Sequence, residues 1–189
     1  MLQLILGGTR SGKSQYAEAQ INLLETQYPK STITYIATAE LFDEGMQQRA
    51  DVHAKRRPSH WQLLESPVEL TSTLNTLNHS NRIILVDCLT LWLNNQMYYL
   101  SQQSDIQNKS PSKPIQSSLN KCFDDLLHCL QNHKANIVLV SNEVGLGILP
   151  MDKSTREFAD YAGTLNQKIA AVADKACLIV SGLPIHLKN

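Results

Sequence analysis

The chain has 189 residues, of which 42% are hydrophobic, and this is the usual size of a single domain with one sizeable core. Seventeen basic and seventeen acidic side chains give a formal charge of zero, so no overall field attracts the protein to nucleic acid or to an anionic membrane. No apolar stretch is long enough for a membrane span, and MLQLILGG lacks a signal-peptide pattern, so we expect a cytoplasmic protein.

Short apolar runs rich in Ile, Val and Leu predict the strands, and longer stretches of helical periodicity separate them. In chain order the predicted strands are Leu2–Leu6, Ile33–Ala37, Ile83–Val86, Ile137–Val140 and Cys177–Val180. This alternation predicts an α/β fold with a mostly parallel central sheet, flanked by helices on both faces. We expect one domain over residues 1–189.

Helix starts are marked by a serine followed three residues later by a glutamate. Ser66–Glu69 reads SPVE, with proline at the expected first helical position. Ser154 and Glu157 repeat this spacing at the start of a predicted helix from about Ser154 to Asp174. The segment Ser101–Ser118 is rich in Ser, Gln, Asn, Lys and Pro, so it is predicted to be a polar surface loop between two helices.

The segment GGTRSGKS fits the pattern G-x-x-x-x-G-K-[ST], between a predicted strand and a predicted helix over Gln15–Leu24. Such a loop, here called the phosphate loop, lets backbone N–H groups converge on phosphate at a helix N-terminus. Its lysine supplies charge to the terminal phosphates and its last hydroxyl ligates Mg²⁺. We therefore predict a P-loop NTPase domain of the RecA-like kind, binding a nucleoside triphosphate through Gly7, Gly8, Thr9, Arg10, Ser11, Gly12, Lys13 and Ser14.

A second ligand for the metal is expected at the end of another buried strand. Arg82–Asp87 reads RIILVD and ends in an acid, which is the usual companion of a phosphate loop. We predict that Asp87 holds Mg²⁺ through water and that Ser14 ligates it directly. An ordinary strand-end aspartate is the alternative reading of Asp87.

Arg49, His53, Arg56 and Arg57 recur at helical spacing in a predicted helix that begins near Asp43. Nearby positive charge disfavours the imidazolium form, which keeps His53 nucleophilic, while the arginines attract a phosphate. Taken alone, a basic helix bearing a histidine is more often a solvated face.

Five motifs in the same order resemble the bifunctional adenosylcobinamide kinase and adenosylcobinamide-phosphate guanylyltransferase family. They are GGTRSGKS from Gly7, YIATAE from Tyr35, HAKRRPSHWQLLE from His53, SNEVGLGILP from Ser141 and AGTLNQKIAAVADKACLIVSG from Ala162. The resemblance spans nearly the whole chain except the polar loop. It implies two reactions: phosphorylation of adenosylcobinamide by ATP or GTP, then transfer of GMP from GTP to adenosylcobinamide phosphate, with release of pyrophosphate.

The resemblance also implies roles for individual residues. His53 would carry GMP covalently and, with Lys13, would be catalytic. Nucleotide contacts would come from the phosphate loop and from Thr38, Ala39, Glu40, Ala54, Lys55, Arg56, Arg57, Glu65 and Asp87. The family's homotrimeric assembly is likewise implied for this chain.

Two other functions stay open on the residues alone. A small P-loop kinase acting on another metabolite would need only the first reaction, and a nucleotide-gated binding module would need no acceptor. Asn142 and Glu143 follow a predicted strand, where ligand groups are common, but a turn-forming role for Glu143 is equally plausible. The remaining histidines are expected to be structural or at the surface.

Overall fold

The computed structural model describes residues 1–40, 57–106, 115–148 and 150–189. Within these ranges one seven-stranded sheet forms the centre of the fold. Its strands are β1 (Leu2–Gly7), β2 (Thr32–Ala37), β3 (Gln62–Glu65), β4 (Arg82–Asp87), β5 (Asn136–Asn142), β6 (Lys175–Val180) and β7 (Leu183–Lys188). The described helices are α1 (Lys13–Gln27), α2 (Leu70–Thr76), α3 (Leu89–Ile106), α4 (Ile115–Gln131) and α5 (Lys153–Val172).

The strand order is β3-β2-β4-β5-β1-β6-β7, and every pairing is parallel except that of β6 with β7. The predicted α/β class and all five predicted strands are confirmed. One strand, β5, separates β1 from β4. The carboxyl ends of β1, β5 and β4 therefore lie side by side, which brings Gly7, Asn142 and Asp87 to one edge of the sheet.

The sheet is covered on both faces. One face packs against α2, α3, α4 and α5 in a core that contains Trp92, Phe123 and Ile169, all almost fully buried. The other packs against α1, whose Ala17 and Ile21 are fully buried. Because successive strand residues point to opposite faces, residues of the two cores alternate along the buried strands β1, β2, β4, β5 and β6.

Both edge strands were absent from the prediction. The four residues of β3 are all exposed, so no buried apolar run marks them. β7 follows β6 through a tight turn at Ser181 and Gly182, which have φ values of 52° and 81° and suit a two-residue hairpin. The alternating Leu183, Ile185 and Leu187 after this turn were a readable strand signal.

The predicted helix caps are wrong, although both helices exist. The fifth helix begins at Lys153, and Asp152 is its N-cap, since the Asp152 carboxylate accepts from the backbone N–H of Thr155 at 2.8 Å. The second helix begins only at Leu70; Ser66 instead pairs its hydroxyl with that of Thr73 at 2.8 Å. The Asp152 carboxylate, two residues before Ser154, caps the fifth helix, whereas Glu69, the N-cap of the second helix, makes no side-chain cap hydrogen bond.

The predicted polar loop is shorter than its composition indicated. α3 continues to Ile106 and α4 begins at Ile115, so both ends of the segment 101–118 are helical. Polar residues on the exposed side of α4, such as Gln116 and Ser117, contributed to the loop-like composition. The predicted position between two helices is confirmed.

The predicted helix near Asp43 lies outside the described residues, except Arg57, which is not helical.

None of the described helices has both the length and the apolar character needed to cross a membrane.

Candidate functional site

The phosphate loop joins the end of β1 to the start of α1. Gly12 is the N-cap of α1, with φ 95° and ψ 3°, and no side chain caps this helix. The first backbone N–H groups of α1 are therefore free to bind an anion, and the aligned peptide dipoles favour negative charge there. Lys13 and Ser14 are the first two residues of the helix.

The turn between β6 and β7 packs against the phosphate loop. The Gly182 N–H donates to the backbone oxygen of Ser11 at 2.8 Å. A Cβ atom on Gly12 would lie 3.1 Å from the Gly182 Cα. Glycine at position 12 therefore permits close contact between the loop and the hairpin, whereas Gly182 suits the turn because its φ is 81°.

We predict that Gly12→Ala lowers both stability and nucleotide affinity. An alanine at φ 95° is strained, and its methyl group would push against the Gly182 backbone, together an effect of about 2–4 kcal/mol. Thermal unfolding should show a drop of several degrees. Gly163→Ala in α5 is the matched control, because its added Cβ meets nothing within 4 Å and its melting temperature should not fall. An unchanged melting temperature for Gly12→Ala would contradict the packing argument.

Polar groups of the loop point inward. The Lys13 ammonium donates to the backbone oxygen of Gly8 at 3.2 Å, and the backbone N–H of Ser11 donates to the same oxygen at 3.2 Å. The hydroxyl of Ser11 is buried with no hydrogen-bond partner among the described residues. The loop thus gathers a cation, a hydroxyl and helix N–H groups within a few residues.

Asp87 ends β4 on the same face of the sheet as α1. It follows Ile83 and Leu85, which pack in the core beside α1, and the Tyr35 hydroxyl donates to its Oδ2 at 3.3 Å. The Arg57 guanidinium lies 4.2 Å above the Tyr35 ring. The Tyr35 side chain therefore contacts a cation over its ring and a carboxylate at its hydroxyl.

The charges of Lys13 in the phosphate loop and of Asp87 both affect the pKa of the Cys88 thiol. Its pKa is raised to about 11, first by complete burial and then by the Asp87 carboxylate, whereas the Lys13 ammonium lowers it. Charges of opposite sign, from Asp87 and from Lys13, thus act on this one thiol.

Thr38 joins the ends of β2 and β4. Its hydroxyl donates to the backbone oxygen of Cys88 at 2.6 Å and accepts from the Cys88 N–H at 2.8 Å. Asn95 donates to the Thr38 carbonyl at 2.9 Å. The Thr38 hydroxyl is thereby occupied by protein, and a nucleotide contact from Thr38 or from the adjacent Ala39 stays a prediction.

Two predicted carboxylates also lie at this edge. Glu40 accepts a hydrogen bond from the Tyr99 hydroxyl at 2.7 Å, which is the main cause of the raised pKa of Tyr99. The other Glu40 oxygen is buried without a partner among the described residues. Glu65 is exposed at the end of β3, opposite Ala37 of β2.

Asn142 ends β5, between the phosphate loop and Asp87. Its backbone N–H donates to the Thr90 hydroxyl at 2.6 Å, and its carbonyl accepts from the Asn166 amide at 3.2 Å. Its side-chain oxygen is buried with no partner among the described residues. Thr90 and Asn166 escaped sequence reasoning, because they come from two different helices and no local motif marks them.

Glu143 forms a turn. Its carboxylate accepts from the N–H of Gly145 at 2.7 Å, and its own N–H donates to the Gly7 carbonyl at 3.1 Å. Sequence analysis left a ligand-binding role and a turn-forming role open for Glu143, and the structure shows the turn-forming contact.

The predicted covalent site lies outside the described residues. This applies to His53 and to the flanking Ala54, Lys55 and Arg56. Among the other histidines, His60 is exposed and lies 2.8 Å from Glu25, and His133 bonds the Leu74 carbonyl while burial lowers its pKa.

A strand, a glycine loop and a helix N-terminus, with an acid two strands away, define a P-loop nucleoside triphosphate-binding domain of the α/β class. Comparison with known proteins identifies the family. The model of the CobU family, cobinamide kinase / cobinamide phosphate guanyltransferase, matches residues 3–187. The chain belongs to this family, and the enzyme class implied by the resemblance is confirmed.

Curated relatives agree over their full length. The chain is 40% identical over 192 residues to the bifunctional adenosylcobalamin biosynthesis protein CobP of Pseudomonas aeruginosa, covering 100% of this chain and 98% of the relative. It is 34% identical over 188 residues to CobU of Escherichia coli K12, which bears the same bifunctional description, with both proteins covered completely. A kinase without the second activity, or a nucleotide-gated module, fits neither comparison.

Proposed function

We propose that the chain carries out two successive steps of adenosylcobalamin biosynthesis. In the first, the hydroxyl of the aminopropanol arm of adenosylcobinamide takes the γ-phosphoryl group of ATP or GTP. In the second, GMP from GTP is joined to adenosylcobinamide phosphate, giving adenosylcobinamide-GDP and pyrophosphate. The observation that carries the first step is the phosphate loop at the N-terminus of α1, with Asp87 across β5.

In the kinase step, Lys13 and the N–H groups of α1 would neutralise charge on the transferred phosphoryl group. The donor set fits Mg²⁺, since Ser14 offers a hydroxyl and Asp87 a carboxylate, and hard cations prefer oxygen ligands. Ser14 and Asp87 would hold the ion, which would offset the negative charge of the phosphates. The Tyr35 hydroxyl bonded to Oδ2 favours one orientation of the Asp87 carboxylate.

In the guanylyl step, the His53 imidazole would attack the α-phosphorus of GTP and pyrophosphate would leave. An oxygen of adenosylcobinamide phosphate would then attack the same phosphorus and displace the imidazole. Arg57 supports this assignment, because its guanidinium lies over Tyr35 beside Asp87, only four residues after His53. A segment anchored there would bring the histidine to the nucleotide. Ala54, Lys55 and Arg56 would flank the GMP, while Glu40 and Glu65 would accept from the guanine N1–H and amino group.

The two-step proposal is tested by mixing the pure protein with GTP labelled at the α-phosphorus, then denaturing it. Retained label that is acid-labile and base-stable is expected, because a phosphorus–nitrogen bond to histidine has that stability. Label from γ-labelled GTP should not be retained. If the protein retains no α-label but phosphorylates adenosylcobinamide normally, the chain has the kinase activity without the guanylyl transfer.

We predict that Asp87→Asn slows the kinase step by roughly 10–100-fold, since one carboxylate contact to the metal shell is lost. Raising the Mg²⁺ concentration should recover part of the rate. Asp124→Asn is the control: Asp124 lies 2.7 Å from Lys168 on an exposed surface, and its rate should stay at the wild-type value. A loss that is equal at every Mg²⁺ concentration would argue against the metal role.

The homotrimer implied by the resemblance is likewise proposed, and light scattering of the pure protein measures it. A cytoplasmic location is proposed from the supply of ATP and GTP that both reactions need.

A further inference from the structure

The side-chain oxygen of Asn142, in the middle of the candidate site, is a buried acceptor with no hydrogen-bond partner in the part of the chain that the structure describes. A buried polar atom of this kind costs free energy and is rare in native proteins, so it needs an explanation. Unsatisfied groups persist where function requires them.

The strand pattern fixes where this side chain lies. Val138 and Val140 of β5 pack in the core beside α1, so Asn142, two residues further, belongs to the same face of the sheet. Asp87 is on that face as well, following Ile83 and Leu85. With β5 between β1 and β4, Asn142 lies between the phosphate loop and Asp87.

The backbone of Asn142 is fixed on both sides. Thr90 of α3 accepts from its N–H at 2.6 Å, and Asn166 of α5, only 5% exposed, donates to its carbonyl at 3.2 Å. Residue 142 also lies directly opposite Gly7, the first residue of the loop. The side chain is therefore carried on a backbone that is held from two helices.

Resting on the proposed kinase step, we propose that the Asn142 side-chain oxygen accepts a hydrogen bond from the attacking hydroxyl group of the corrinoid substrate. An amide oxygen suits an O–H donor, and it adds no negative charge beside the triphosphate, as a carboxylate would. Glu143, the neighbouring candidate, has its carboxylate occupied by the Gly145 N–H.

In this step the hydroxyl oxygen forms a bond to the γ-phosphorus, and the bond from that phosphorus to the β,γ-bridging oxygen breaks. The nucleoside diphosphate leaves with the electron pair. A neutral amide does not take the proton, which passes to water. Asn142 thus orients the lone pair of the attacking oxygen toward phosphorus.

The test compares Asn142→Leu, which removes the acceptor at similar volume, with Asn136→Leu at the opposite end of the same strand. In the wild-type background we measure kcat and KM for adenosylcobinamide, the Kd of ATP with Mg²⁺, the Mg²⁺ concentration at half-saturation and the melting temperature. For Asn142→Leu we expect kcat to fall about 10–100-fold, the range for one lost hydrogen bond to a reacting group. Nucleotide Kd and half-saturating Mg²⁺ should stay within about twofold, and α-label from GTP should be retained.

The melting temperature of Asn142→Leu should equal or exceed that of the wild type, because a buried acceptor that no described residue satisfies is removed. A fall in melting temperature with parallel loss of both activities would make Asn142 a packing residue. A higher requirement for Mg²⁺ would assign its oxygen to a metal-bound water. An unchanged kcat would remove it from the reaction. Each of these results overturns the proposal, whereas failure of the proposed function would appear in the wild type and in Asn136→Leu as well.

Discussion

Lys13→Ala is expected to lower the rate of adenosylcobinamide phosphorylation by about 100–1000-fold or more. Its ammonium is the cation at the mouth of the phosphate loop, and a fixed charge on the developing phosphoryl oxygens is worth this much in comparable sites. The melting temperature should change little, since the only described contact of the ammonium group is with the Gly8 carbonyl. Steady-state phosphorylation with ATP and Mg²⁺ measures the effect.

Lys153→Ala is a close control for this substitution. Lys153 is also the first residue of a helix, but its ammonium lies 3.6 Å from Glu157 at the surface and its side chain is 81% exposed. An exposed pair of this kind contributes little, so both activity and stability should be preserved. If Lys13→Ala kept wild-type turnover, the phosphate loop would not be the site of phosphoryl transfer.

The parts of the fold that the sequence predicted are those whose signal is local. Each of the five buried parallel strands is a short apolar run, and the phosphate loop is one contiguous motif. β3 was missed because a short, exposed edge strand has no apolar pattern; its existence depends on pairing with β2. The N-cap of α5 was misplaced because Asp152 and Ser154 are both good caps, and only the backbone geometry decides between them.

The residues of the candidate site also divide into those with a local sequence signal and those without one. Gly7–Ser14 and Asp87 could be predicted because each lies at the end of a readable strand. The contacts that organise the site join residues 52 positions apart, as between Tyr35 and Asp87 and between Thr90 and Asn142. No periodicity or spacing reveals such pairs, since they depend on which strands become neighbours. Sequence reasoning therefore identified the groups of the phosphate loop but not the residues that orient them.

His53→Ala is expected to separate the two activities. If its imidazole is the nucleophile toward the α-phosphorus, the variant should retain no label from α-labelled GTP and should give no adenosylcobinamide-GDP. Phosphorylation of adenosylcobinamide needs the phosphate loop and the metal but no protein nucleophile, so its rate should stay within a few-fold of wild type. Product analysis after incubation with both substrates measures the two steps in one sample.

The choice of control makes this result specific to the nucleophile. His60 lies seven residues further, is exposed and pairs with Glu25 at 2.8 Å, so His60→Ala should keep both the label and the guanylyl transfer. A packing histidine at position 53 would behave differently, because its loss would lower the melting temperature and both activities together. Retention of α-label by His53→Ala, with loss in His60→Ala, would move the covalent role to His60. Loss in His53→Ala alone, with intact kinase turnover, would assign the covalent step to His53 and show that phosphoryl transfer does not need this residue.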